Sequence, residues 1–259
     1  MVNASFSLYT FEYFLMILVR ISCFIFVAPF FGISGVPSRP KFGFAVFISL
    51  ILYHILPAQA LDYSDVFGYA VIVVKEGITG LLIGFMANVC NSIVLFAGTI
   101  IDQNMGLSMA TEYDPMTQTQ APITGTLYNY LVLLLLLASN LDQYLIRAIV
   151  DSYELIPISG QVFQTDSMLA TFTTYLVDFF VLGFRIALPV FACIMIFNSV
   201  LGIMAKVAPQ MNMFAIGMQL KILFGLLILF LTVQLLPYVS DFVFTEIKKM
   251  TVSIIQAMY

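Results

Sequence analysis

The chain is poor in charge. Of its 259 residues only 9% are Asp, Glu, Lys or Arg, where a soluble domain has about 25%. So little charge cannot cover a globule in water, which excludes an ordinary cytosolic enzyme, a disordered tail and a fibrous protein. The net charge of -4 excludes the basic surface that nucleic acid requires. There is a single histidine, His54, with no second histidine or carboxylate cluster nearby, so no metal site is readable. No Ser-His-Asp grouping and no phosphate-cradling glycine loop occurs either. The residues therefore give no catalytic, cofactor or metal assignment, and His54 reads as an interfacial or packing side chain. Cys23, Cys90 and Cys193 lie far apart in apolar runs. Without ligand spacing or a disulfide framework, they read as small buried hydrophobes.

What the chain does have is apolar length. Hydrophobic residues make up 61% of it, as in an integral membrane protein. About 20 apolar residues cross about 30 Å of hydrocarbon as a helix. Six segments approach that: 13–31, a short one from 41 to 57, 66–101, 126–147, 168–204 and 213–239, followed by a tail at 240–259. The third and fifth are too long for one simple crossing. The runs are continuous and lack the alternation of a membrane barrel, so the expected fold is all-α with about six long apolar helices arranged as hairpins. No lysine or arginine precedes the first run and no A-x-A pattern follows it, so it reads as a retained segment. The positive-inside rule does not decide topology. With six alternating spans, Arg39, Lys41 and Lys206 fall on one side, and Arg147, Lys248 and Lys249 on the other.

Ionisable residues inside apolar runs are costly and mark functional candidates. Here they are Arg20, Lys75, Glu76, Asp178, Arg185 and Lys221. Asp178 and Arg185, seven residues apart, share a helix face at about 10.5 Å along the axis. They suit either a polar path or subunit interface, or a structural pair with snorkelling ends. The last two long segments read as a hairpin about Pro209, Gln210, Met211 and Asn212, which sets Asn198 opposite Lys221 and Arg185 opposite Gln234. In the third segment Gly77, Gly84, Asn91 and Gly98 recur every seven residues, with Gly80 between. Such a seam of small residues lets another helix approach closely, from this chain or from another subunit. After it comes D-Q-N-M-G-L-S-M-A-T-E-Y-D-P at 102–115. Asp102, Gln103, Met105, Gly106, Met109, Glu112, Asp114 and Pro115 are its candidate residues, because methionines supply deformable apolar contact and Gly106 supplies backbone freedom.

Three stretches resemble one family: P-S-R-P-K-F at 37–42, A-G-T-I-I-D-Q-N-M-G-L-S-M-A-T-E-Y-D-P at 97–115, and A-P-Q-M-N-M-F-A-I-G at 208–217. The chain resembles the FliR/SctT family, subunits of the type III export gate of flagella and virulence systems. The resemblance covers essentially the whole chain. It implies a non-enzymatic channel subunit for unfolded flagellar export substrates, without cofactors. The subunit would sit in the bacterial inner membrane, in contact with lipid, at the flagellar basal body. Implied partners are several copies of FliP and FliQ, in a helical assembly, and the FlhB and FlhA components of the export apparatus. Residues 1–167 would resemble FliP, and the hairpin at 168–259 would resemble FliQ. The loop at 105–119 would be a plug inside the pore. The alternative class is a small-solute or ion transporter, using Asp178, Arg185 and Lys221 at a midplane site.

Overall fold

The computed structural model describes residues 8–33, 35–57, 63, 65–109, 111–114, 119–208 and 213–259. The fold is all-α. Eight helices occur among the described residues: α1 (Leu8–Val27), α2 (Ser38–Ile55), α3 (Val66–Met105), α4 (Ile123–Ala138), α5 (Leu141–Leu155), α6 (Thr165–Val207), α7 (Met213–Thr232) and α8 (Leu236–Ala257). Two four-residue strands, β1 (Thr111–Asp114) and β2 (Thr119–Pro122), pair antiparallel between α3 and α4, with Thr111 opposite Pro122 and Asp114 opposite Thr119. Four stretches have the length and apolarity to cross a membrane: 9–27, 66–105, 165–207 and 216–257.

The two overlong segments are single helices of 40 and 43 residues, about 60 Å long at 1.5 Å per residue. Other expectations change. Helix α2 begins at Ser38 and not after Pro40, since proline is tolerated in a first helical turn. The expected helix over 126–147 is two helices, broken where Asn140 takes a left-handed φ of 59°, which asparagine accepts more readily than most residues. The tail at 240–259 lies mostly in α8, and the sixth segment is interrupted by a 3₁₀ turn at Val233–Leu235.

The described residues divide into two compact units. One comprises 1–89, 140–175 and 246–259; the other comprises 90–139 and 176–245. In the first unit, α1 is the central element. Met16, Ile17, Ile21 and Phe24 are buried on it. Tyr53 of α2 packs edge-on to Phe14 at 6.2 Å, and the Tyr13 hydroxyl donates to the Pro57 carbonyl at 3.0 Å. Lys41 is buried and donates to the Ile33 carbonyl at 2.7 Å, which ties the connection after α1 to the first turn of α2.

In the second unit, α6 and α7 face each other. Phe197 stacks on Phe224 at 4.5 Å between centroids, and Leu201 lies against Gly217. These pairs set α6 and α7 antiparallel. Pro189 sits inside α6 and leaves the Arg185 carbonyl without its i+4 donor. Phe96 of α3 inserts among Phe179, Phe180 and Phe184 of α6, at 5.1, 5.5 and 5.9 Å. Gly183 makes room for that ring, since a Cβ there would strike it.

Candidate functional site

The seam on α3 is filled by this chain. In the first unit, a Cβ at Gly80 would collide with the Arg20 carbonyl of α1, and one at Gly84 would lie 2.8 Å from the Phe24 carbonyl. Gly77 is looser, at 3.5 Å from Cys23 Sγ. In the second unit the seam turns to α4. Gly98 lies directly against Gly125, and Asn91 Nδ2 donates to Asn129 Oδ1 at 3.2 Å. Of the two partners that the small residues allowed, the described contacts are to α1 and α4. As a surface for another subunit the seam is already occupied.

Arg20 and Glu76 are also assigned by the structure. Both are fully buried in the first unit, with Arg20 Nε 2.6 Å from Glu76 Oε2. Arg20 Nη1 donates to the Ile156 carbonyl at 3.1 Å and reaches the carbonyl and hydroxyl of Ser152 at 3.5 and 3.4 Å. Its guanidinium lies 4.1 Å from the Tyr153 ring centroid. Glu76 Oε1 accepts from the Ser159 amide at 3.1 Å and from Gln161 Nε2. One ion pair thus fastens α1 and α3 to α5 and to the connection that follows it. Burying charge is costly unless it is paired and hydrogen-bonded; here the charges are paired and the Arg20 Nε and Nη1 and both Glu76 oxygens are bonded, while Arg20 Nη2 has no partner among the described residues. Ser152, Tyr153, Ser159 and Gln161 were not foreseen, since residues of α5 and of the connection after it show no spacing relation to residues 20 and 76.

The other charges differ. Arg185 is exposed on α6, over the Phe242 ring at 4.8 Å. Asp178 and Lys221 are half-buried. The expected turn at Pro209, Gln210, Met211 and Asn212 lies outside the described residues, between the end of α6 and the start of α7.

The loop after the seam changes most. Asp102, Gln103 and Met105 belong to α3 and not to the loop, because the helix runs four residues past the expected end at 101. Met105 is fully buried. Its side chain sits on Gly225 of α7, where a Cβ would come within 2.5 Å of the methyl group. It is an anchor in this structure, not an exposed apolar seal. Gln103 is exposed, and Asn104 donates to the Ile100 carbonyl at 2.7 Å. Gly106 ends α3 at φ 84° with open space around it, a left-handed helix stop that glycine adopts without steric cost. A 3₁₀ turn at Leu107–Met109 follows, then β1, which contains Glu112 and Asp114, and β2. Pro115 lies outside the described residues.

The base of this hairpin is closed from both sides. Asp102 is buried, and its Oδ2 accepts from the Thr124 amide at 3.0 Å in the first turn of α4. Gly98 against Gly125 and Asn91 against Asn129 continue the α3–α4 stem below it. The strands therefore project from the closed end of a helical hairpin. Gly225 and Thr124 were missed by sequence reasoning; Gly125 and Asn129, small and polar in a leucine-rich run, were the available signal. Gly225→Val should drive Met105 from its seat and lower stability by about 1–3 kcal/mol, the usual cost of overpacking. Thermal unfolding of the detergent-solubilised protein measures it.

Comparison with known proteins places this architecture. Residues 11–247 match the family model described as bacterial export proteins, family 1. The flagellar biosynthetic protein FliR of Bacillus subtilis (strain 168) is 31% identical over 241 residues, covering 91% of each chain. FliR of Escherichia coli (strain K12) is 30% identical, covering 93% of this chain and 92% of its own. FliR of Aquifex aeolicus (strain VF5) is 27% identical, with 92% of each chain covered. With a match over nearly its whole length, and with helices long and apolar enough to span a membrane, the chain belongs to the bacterial export proteins of family 1, together with the flagellar biosynthetic proteins FliR.

Proposed function

We propose that the chain is a non-enzymatic channel subunit of a flagellar type III protein export gate in the bacterial inner membrane. In this reading it assembles with FliP and FliQ, near FlhB and FlhA, and passes unfolded flagellar proteins. Residues 1–167 take the place of a FliP-like part and 168–259 that of a FliQ-like hairpin.

One observation supports this most. Helix α6 is 43 residues long, and large apolar side chains are exposed along all of it, from Leu169 through Phe180 and Ile196 to Ile203 and Val207. At about 65 Å it has twice the length that about 30 Å of hydrocarbon covers. The apolar surface beyond the lipid needs protein against it, which other membrane subunits would supply. A tagged full chain should therefore co-purify with FliP and FliQ, read by native mass measurement. Recovery of a stable monomer or homo-oligomer alone would favour the transporter reading instead.

Within such a gate, the loop from Gly106 through β2 would close the pore. A channel for unfolded chains must hold back ions when idle, so its seal has to move aside. The loop leaves α3 at a glycine in a left-handed conformation and projects from a closed stem. Deleting residues 106–110 should leave the complex assembled and raise ion conductance across the membrane above background. Full assembly with background conductance would remove the plug assignment while leaving the family membership intact.

A further inference from the structure

We propose that the cleft between α5 and the end of α8 binds the phosphodiester headgroup of a membrane phospholipid. Both stretches belong to the first unit, and they run in the same direction. Near the start of α5, the Lys248 amine of α8 lies 5.1 Å from the Tyr144 ring centroid. Past the end of α5, the Val162 amide donates to the Met258 carbonyl at 3.2 Å. Between these two points lies a cleft of about 340 Å³.

The cleft is basic at one end and apolar at the other. Tyr144 and Arg147 line the first end, with Lys248 over the Tyr144 ring; Leu155 and Ile255 line the second. Arg147 precedes Leu155 by two turns of α5, about 12 Å along a helix axis. A free phosphate would use the first end alone, whereas a phospholipid uses both, with its phosphate on the cations and its chains on the apolar walls. Arg147 is exposed and makes no ion pair among the described residues, so its forked donors are available to phosphate oxygens. Basic pockets between helices are where headgroups of this kind are held. The floor gives an independent indication. Thr251 is fully buried and lines the cleft, and its hydroxyl has no hydrogen-bond partner among the described residues. Buried hydroxyls are ordinarily paired, and a headgroup oxygen in the cleft would accept from this one. Asp151 stands on the same rim, one turn beyond Arg147. Its carboxylate would disfavour a doubly charged phosphate and accept from the rest of the headgroup, an ammonium or a glycerol hydroxyl.

The test is native mass measurement of the purified, delipidated full chain in detergent, titrated separately with four probes. Phosphatidylethanolamine and phosphatidylglycerol carry phosphodiester and chains together. Diacylglycerol has the chains without the phosphate, and inorganic phosphate has the charge without the chains. Both phospholipids should bind as a single adduct, and the other two probes should not. Arg147→Ala and Lys248→Ala should each weaken phospholipid binding about tenfold, the effect of losing one hydrogen bond to a charged group. Thr251→Val keeps the shape of the side chain and should weaken binding severalfold. Lys249→Ala, which removes the neighbouring cation that faces Glu246 at 3.4 Å, should leave binding unchanged. If inorganic phosphate binds as tightly as the phospholipids, the lipid assignment is wrong. Equal binding of diacylglycerol would remove the role of the phosphate. An equal loss in Lys248→Ala and Lys249→Ala would mean that general attraction, and no built site, holds the lipid.

Discussion

Arg20→Met should lower the stability of the chain by about 3–5 kcal/mol, the usual consequence of breaking a buried ion pair from one side. Methionine keeps most of the volume but none of the donors. Glu76 would remain fully buried, held only by the Ser159 amide and Gln161, with no positive charge beside it. The Ile156 carbonyl would lose its guanidinium donor, and Tyr153 the cation over its ring. Four parts of the first unit meet at this point, so the loss should appear as early unfolding of the unit and not as a local defect. Thermal unfolding in detergent and accumulation in the membrane both measure it. The double variant Arg20→Met with Glu76→Leu should cost less than the sum of the two single changes, because it removes both charges together. A single Arg20→Met within about 0.5 kcal/mol of wild type, the range of an ordinary surface change, would contradict the role assigned to the pair.

Gly80→Ala is the second large effect. In an exposed helix, alanine for glycine gains about 0.5–1 kcal/mol. Here the sign should reverse. The added methyl would land on the Arg20 carbonyl, which is backbone and has no rotamer to yield. Helices α1 and α3 would have to separate, and Arg20 with Glu76 would separate with them. The cost should reach or pass the upper end of the ~1–3 kcal/mol typical of overpacking. Gly43→Ala in α2 is the control, because a Cβ there meets nothing within 4 Å. It should be neutral or slightly stabilising. Equal effects at Gly80 and Gly43 would show that the close approach of α1 and α3 is unimportant to stability.

Much of the architecture was legible in the chain because it follows from local composition. Continuous apolar runs cannot lie in water and cannot alternate as barrel strands, so a helical membrane protein was the remaining solution. A fold point near Pro209 was expected from a ring that cannot continue a helix; the described residues show α6 and α7 on either side of it, with Phe197 stacked on Phe224. The repeat of Gly77, Gly84, Asn91 and Gly98 announced close helix contact. Helix ends were less legible. Pro40 looks like a boundary but is tolerated in a first turn, and Asn140 breaks a helix in the middle of an apolar stretch.

The sequence by itself determined the class, the membrane setting, the family resemblance and the places where helices must come close, since each depends on residues near one another in the chain. It did not determine which helix fills the seam. Small residues permit approach without naming a partner, and only folding placed α1 against Gly80 and α4 against Gly98. Nor could it join Arg20 to Glu76, 56 residues away, or to Ser152, 132 residues away, because pairing across such separations depends on how whole helices pack. The same holds for Met105. Its composition suited a deformable seal, but its place at the end of α3 set it on Gly225. Chemistry was written in the residue; whether that chemistry faces a pore or a neighbouring helix was decided by the packing around it.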